Sequence, residues 1–221
     1  MLMKKIFTLI AVAAMALSAN AQKIVFDANE GLKTSYEVDG LKLEYVDTDS
    51  KMAVDANSQF FGTAASYENF KARFKTGAKS GAKSGITLTI PAAGTLKIAV
   101  RSASSGATDR NLVLTQNETT LFDKVIKENE ATDYETATIE EESKKVFPIQ
   151  SVEVAAGTIE VTYPTGSLNF YCFELVSSST AIQTVKVAQA NDGAVYNLAG
   201  QKVGNDFKGI VIKNGKKMLQ K

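Results

Sequence analysis

The chain has no histidine and no tryptophan, and only one cysteine and three prolines in 221 residues. Without histidine there is no Ser-His-Asp or Cys-His nucleophile, no imidazole zinc site and no ordinary general base near neutral pH. With Cys172 alone, neither an intramolecular disulfide nor a thiolate metal cluster can form. Hydrolysis by a pair of carboxylates survives this filter. Asp123, Asp133 and Glu174 are candidate acids, but no spacing singles out a pair, and the chain reads as non-catalytic. The missing tryptophan removes the largest flat surface on which a sugar ring could stack. Charge of one sign is also missing: the formal net charge is +1. Removing residues 1–21, which carry Lys4 and Lys5 and no acid, leaves a net charge of −1. So neutral a chain gives no electrostatic case for nucleic acid or an anionic membrane.

Long apolar runs are absent too. The run from Ile6 to Leu17 follows Lys4-Lys5 and ends at Ser18-Ala19-Asn20-Ala21. A basic start, a short apolar stretch and an A-x-A site make a secretory signal, cut before Gln22. As a membrane anchor the run falls short of the roughly 20 apolar residues needed. The mature chain is therefore expected outside the inner membrane, secreted or at the cell surface, with no membrane span.

What is present is alternation. Ile86, Leu88 and Ile90 oppose Thr87 and Thr89; after Pro91-Ala92-Ala93-Gly94, Leu96, Ile98 and Val100 repeat the pattern. This predicts a β-hairpin with one buried face. Ala155-Ala156-Gly157-Thr158-Ile159 echoes the corner, so two hairpins belonging to two facing sheets are expected. Asp39-Gly40 and Asn117-Glu118 are turn signals between further strands. Phe70 to Lys75 reads as a strand, with a helical turn as the alternative. Leu168 to Val176 is apolar on both faces and belongs in a sheet centre, with Cys172 a small buried hydrophobe. The Gly77 to Gly85 stretch, GAKSGAKSG, has a superficial P-loop look but lacks the strand-to-helix context, and reads as a mobile or sheet-edge loop. Lys127 to Lys145, with Glu140-Glu141-Glu142, reads as a solvated excursion or short helix; cation coordination is its alternative. No cofactor is implied. A structural calcium around Asp27 and Glu30 is conceivable on oxygen chemistry alone, without supporting spacing.

The domain reading is a signal peptide at 1–21, a β-sandwich at 22–176, a polar linker at 177–180 and a small C-terminal β segment at 181–221. A tail of about 40 residues buries little apolar surface by itself.

Two resemblances follow. Ile90-Pro91-Ala92-Ala93-Gly94-Thr95, Leu112 to Asn117, Ala156-Gly157-Thr158-Ile159-Glu160-Val161 and Leu168 to Leu175 together resemble the jelly-roll, galactose-binding-like carbohydrate-binding modules. The fold class is accordingly all-β, a jelly-roll sandwich. The tail, with Val195-Tyr196-Asn197-Leu198-Ala199-Gly200-Gln201-Lys202-Val203, Lys208-Gly209-Ile210-Val211-Ile212 and Asn214-Gly215-Lys216-Lys217, resembles the sorting segments of the type IX (Por) secretion system. It is shorter than a full sorting domain and lacks the usual proline before Gly209. That resemblance implies secretion machinery as a partner.

The first resemblance implies a secreted, non-catalytic sandwich that binds polysaccharide, glycan or another extracellular polymer. A sugar site needs an aromatic face flanked by amides and charges. The candidates are Tyr67, Phe70, Arg101, Asp109, Arg110, Asn111 and Asn169. Asn169 stands where the resembling modules place a sugar-binding Asn; Arg101 and Arg110 flank a loop expected at the same end of the sandwich. A structural or adhesive scaffold with no small-ligand site is the alternative.

Overall fold

A computed structural model describes residues 21–177, 194–204, 206–213 and 216–220. The predicted signal, apart from Ala21, and residues 178–193, which include most of the predicted linker, lie outside the described residues. Among the described residues every regular element is a β-strand, and no helix is long and apolar enough to cross a membrane. The chain divides into two units, Met1–Ser179 and Thr180–Lys221.

In the first unit the strands are β1 (Ala21–Val25), β2 (Tyr36–Val38), β3 (Leu41–Asp47), β4 (Ala53–Thr63), β5 (Ser66–Lys75), β6 (Ser84–Ile90) and β7 (Gly94–Ser102). There follow β8 (Asn111–Gln116), β9 (Thr119–Val125), β10 (Glu135–Ile139), β11 (Glu142–Phe147), β12 (Gln150–Val154), β13 (Gly157–Thr162) and β14 (Leu168–Ser177). Sheet A runs β10-β11-β4-β5-β14-β7-β12, with β1 also paired to β14; sheet B runs β2-β3-β6-β13-β8-β9. The two sheets face each other as the expected sandwich. Leu41, Leu43, Ile86, Leu88, Ile90, Leu112, Leu114, Ile159 and Val161 from sheet B bury against Phe74, Leu96, Ile98, Val100, Leu168, Phe170, Phe173 and Leu175 from sheet A. Each such side chain contributes about 1.5–3 kcal/mol relative to exposure.

The two Ala-Ala-Gly corners correct the hairpin expectation. β6 lies in sheet B and β7 in sheet A, so the corner between them carries the chain from one sheet to the other. Its echo does the same in reverse direction, from β12 to β13. β6 pairs with β13, and β7 pairs with β12, so the two crossings lie side by side. Alternation is identical for a strand folded back in one sheet and a strand turned into the opposite sheet; only the distant partner decides. Gly94 is required at its corner by close approach, since a Cβ there would stand 2.3 Å from the Val176 carbonyl oxygen.

β14 is central, as its two apolar faces imply. β7 pairs along one edge; the other is shared by β5, at Asn169 and Phe170, and β1, from Cys172 to Val176. A bulge between Phe170 and Cys172 adds one residue, Tyr171, and keeps Phe170 and Phe173 both facing the inner core. Tyr171 and Cys172 turn to the outer face of sheet A, into a second cluster with Phe61, Phe70, Ala99 and Phe147. β14 extends through Ser177, one residue into the predicted linker.

Residues 127–145 hold a second departure. Glu135–Ile139 and Glu142–Phe147 form a hairpin that joins sheet A through a short parallel pairing, Val146 with Phe60 and Phe147 with Phe61. Glu140 and Glu141 are its turn, at φ 52° and 67°. The acidic run is thus a two-residue hairpin connection with mirror-type backbone.

In the second unit, β15 (Val195–Asn197), β16 (Lys202–Val203), β17 (Gly209–Lys213) and β18 (Lys216–Gln220) form a sheet in the order β16-β15-β17-β18. The Asn197 carboxamide oxygen accepts from the backbone N–H groups of Ala199 and Gln201, fixing the turn at Gly200. Val211 is fully buried, whereas Leu198 and Leu219 are more than half exposed.

Candidate functional site

The outer face of sheet A carries a depression lined by strands far apart in the chain. Its floor is set by β4 and β5, which present Ser58, Gln59 and Phe60 on one strand and Asn69 and Lys71 on the next. The β10–β11 hairpin forms one wall through Ile139, Glu140, Ser143, Lys144 and Lys145, and Arg101 of β7 closes the end against Phe147. The groove encloses about 620 Å³, within the range of small-ligand clefts. A register shift between Ala56 and Gln59 in the β4–β5 ladder sets Asn57 and Ser58 off the regular pairing. Asn69 Nδ2 donates to Ser58 Oγ at 2.9 Å and to the Gln59 carbonyl at 3.1 Å, which orients the amide along the floor.

Arg101 is held from three sides. Its Nε donates to Glu128 Oε2 at 2.5 Å, a terminal guanidinium nitrogen meets the same oxygen, and the guanidinium carbon lies 4.1 Å from the Phe147 ring centroid. The Glu128 side chain is only 3% exposed. This buried carboxylate orders the end wall without facing the groove. On the other side of Arg101 and Phe147 lies a smaller cavity of about 190 Å³, lined by Lys124, Asp133 and Gln150 among others. Toward the centre of the sheet, Asp55 accepts from Arg73 at 2.7 Å and from Lys75 at 2.8 Å. Burial alone would raise the Asp55 carboxyl, but the two cations hold it below its ordinary value. Tyr171 donates to Asn57 Oδ1 at 2.7 Å, and burial raises its phenol pKa.

Of the seven candidates from sequence, Arg101 lines the groove. Tyr67 braces it: its ring stands edge-on to Phe60 at 5.6 Å. Asn169 is the cross-strand partner of Arg101 but is buried, its Nδ2 on the Ser102 carbonyl at 3.5 Å. Phe70 is also buried, with its ring on Phe61 and Lys23 Nζ 5.2 Å from its centroid, so it has no free face for a sugar. Asp109, Arg110 and Asn111 gather elsewhere, where β8 begins in sheet B. Arg110 Nη1 donates to the Thr165 carbonyl at 3.0 Å and to Asp109 at 3.2 Å, and Asn111 Nδ2 donates to Asp123 at 2.6 Å. These three tie the loop before β8 to its neighbours and do not meet the groove. Among the groove residues that the sequence reading passed over are Gln59, Asn69, Lys71, Lys144 and Lys145, on strands far apart in the chain. The available signal was the Lys144-Lys145 pair immediately before Val146-Phe147.

Other expectations resolve locally. Ser80 of the GAKSGAKSG loop donates its N–H to the Tyr163 carbonyl at 3.1 Å, and its hydroxyl accepts from the Tyr163 N–H at 2.8 Å. The loop leads into strand β6, so the strand-to-helix geometry of a phosphate loop is not present. Asp27 accepts from the Asn29 N–H, and Glu30 pairs with Lys33 at 2.6 Å, so both are engaged within the chain. Among the described residues, no three His, Cys, Asp or Glu side chains form a group that could hold a metal ion. Asp123 lies in sheet B and Glu174 in sheet A, so the sandwich separates these two candidate acids. Burial pushes the Cys172 thiol pKa well up, as suits a packed hydrophobe.

No family model matches the chain, and no curated protein matches it. Among solved structures it is similar to a Ruminococcus flavefaciens protein described with that organism's cellulosome and its expansion in glycan recognition. That similarity is at 12% identity and a TM-score of 0.38, covering 72% of this chain and 95% of the other. It is also similar to the tandem CBM51 modules of a family 98 glycoside hydrolase from Streptococcus pneumoniae, at 12% identity and TM-score 0.37, covering 68% and 49%. A third is the catalytic unit of a GH87 α-1,3-glucanase from Streptomyces thermodiastaticus, at 13% identity and TM-score 0.31, covering 69% and 30%.

Proposed function

We propose that the chain is an exported, non-catalytic β-sandwich that binds an extracellular polysaccharide in the groove between the β4–β5 face and the β10–β11 hairpin. The observation that carries this reading is the open, largely polar groove of about 620 Å³, with the amides of Gln59 and Asn69 along its floor and Arg101 fixed at its end. A carboxamide has two donors and an acceptor for sugar hydroxyls; Asn69, whose two N–H groups go to Ser58 and Gln59, offers its oxygen. An open groove accommodates an internal stretch of polymer, where a closed pocket would take only an end. Affinity electrophoresis of the mature chain through gels containing single polysaccharides tests it. Retardation that saturates, and that Asn69→Ala diminishes, is the expected result. Migration unchanged across a broad panel points instead to a scaffold whose work is done by sheet faces.

For the tail, the proposal is the role its sequence suggests, delivery by a sorting machinery. Residues 181–221 fused behind an exported reporter are expected to move it to the cell surface in a host with that machinery. Retention of the fusion in the periplasm would contradict it.

A further inference from the structure

We infer that the polysaccharide this groove takes is a polyanion, bearing uronate or sulfate groups; this deepens the reading of the groove as the binding site and rests on it. The first ground is where positive charge is left over. Four cations line the groove, Lys71, Arg101, Lys144 and Lys145, against one carboxylate, Glu140. Arg101 is balanced by Glu128, and Lys144 by Glu142. Lys71 and Lys145 have no carboxylate partner among the described residues. Elsewhere on the same sheet Lys23 pairs with Glu68, and Arg73 and Lys75 with Asp55, while Lys97 of β7 stands apart from the groove. In a chain of net charge +1, a lining of four cations against one carboxylate, with Lys71 on the floor and Lys145 on the wall both unmatched, makes this groove locally positive.

The second ground is the state of the aromatic rings. A neutral sugar is held by its apolar face on an open ring. Here Phe147 is 3% exposed and lies beneath the Arg101 guanidinium, and Phe60 stands edge-on to Tyr67. Lys145 Nζ lies 3.9 Å from the centroid of Tyr134, so a third ring carries a cation that is itself held in place beside the groove. Stacking surface is scarce where restrained positive charge is not. Charge-assisted hydrogen bonds to carboxylate or sulfate oxygens are the stronger interaction such a lining can make.

The test uses the full mature chain and matched polymers: dextran sulfate against dextran, and polygalacturonate against its methyl ester. The charged member of at least one pair is expected to bind at least tenfold tighter than its neutral partner, and raising salt from about 50 mM to about 500 mM should weaken it further. Lys71→Ala/Lys145→Ala, two changes at exposed positions, should reduce that affinity about tenfold with an unchanged melting temperature. Preference for dextran sulfate or for polygalacturonate supports the inference and names the anion. Equal binding of charged and neutral partners, insensitive to salt and to the double variant, overturns the inference while leaving a glycan site in place. Failure of every polysaccharide to bind overturns the glycan reading itself, and duplex DNA binding as tightly as dextran sulfate overturns the assignment to glycans.

Discussion

Replacing Arg101 by methionine keeps an unbranched side chain over Phe147 and removes the one cation that, among the described residues, pairs with Glu128. The Glu128 side chain is 3% exposed and that of Arg101 is 19% exposed, so the pair is largely cut off from water. Removing one partner of a buried pair costs about 3–5 kcal/mol, because the remaining charge is left without compensation. Water reaches Arg101 in part, which lowers the expected loss to about 2–3 kcal/mol. For a domain of this size each kcal/mol moves the melting temperature by roughly 2–4 °C, so a fall of about 4–12 °C is expected. The double variant Arg101→Met/Glu128→Leu removes both charges and should return to within about 1 kcal/mol of the parent. Urea denaturation at neutral pH, fitted for all three proteins, measures both quantities. A single variant as stable as the parent, or a double variant no more stable than the single, would refute the claim that a buried carboxylate positions the end wall of the groove.

Gly94→Ala should destabilise the sandwich by about 2 kcal/mol, because the new methyl would stand 2.3 Å from the Val176 carbonyl oxygen. Gly106→Ala, where nothing lies within 4 Å of the added carbon, should stay within about 0.5 kcal/mol of the parent, and chemical denaturation compares the two. Burial, opposed in part by a hydrogen bond with Ser84, pushes the Tyr163 phenol up to about 12. The folded state thus keeps a proton that the unfolded chain gives up near pH 10. Its contribution to stability is full below pH 10 and lost by about pH 12, and Tyr163→Phe should flatten that alkaline decline in melting scans. The Cys172 thiol, also raised by burial, should be silent to a disulfide reagent in native protein and react fully in denaturant; rapid native labelling would contradict its packing. The isolated tail, 180–221, should melt without a cooperative transition by circular dichroism, since among its described apolar side chains few are buried.

Turn chemistry and strand centrality were legible in the sequence because both are local. Asp39-Gly40 and Asn117-Glu118 adopt left-handed backbone, which Asp39, Gly40 and Asn117 favour by residue type, with φ 50° and 88° in the first and 49° and 61° in the second. Leu168 to Val176 could be placed at a sheet centre because a strand apolar on both faces needs cover on both. The Ala-Ala-Gly corners were misread for the opposite reason: whether β7 returns beside β6 or crosses to the other sheet depends on β12 and β14, more than 50 residues away. The β10–β11 hairpin was hidden by its own chemistry. Its turn is two glutamates, which carry no turn signature, and among its strand residues only Ala137, Val146 and Phe147 are buried. The groove was mostly illegible, since its lining is assembled from β4, β5, β7 and the hairpin. Arg101 was found, but its buried partner Glu128 lies 27 residues on, in a stretch that reads as solvated charge.

The central claim is that ligand meets the outer face of sheet A and not the Arg110–Asn111 loop. Amide chemical-shift mapping of the isotope-labelled chain, titrated with an oligomer of whichever polyanion binds, tests this most directly. The account predicts perturbations concentrated at Gln59, Asn69, Lys71 and Ser143 to Lys145. Shifts confined to residues 109–111 and 165–166, with the groove silent, would contradict it.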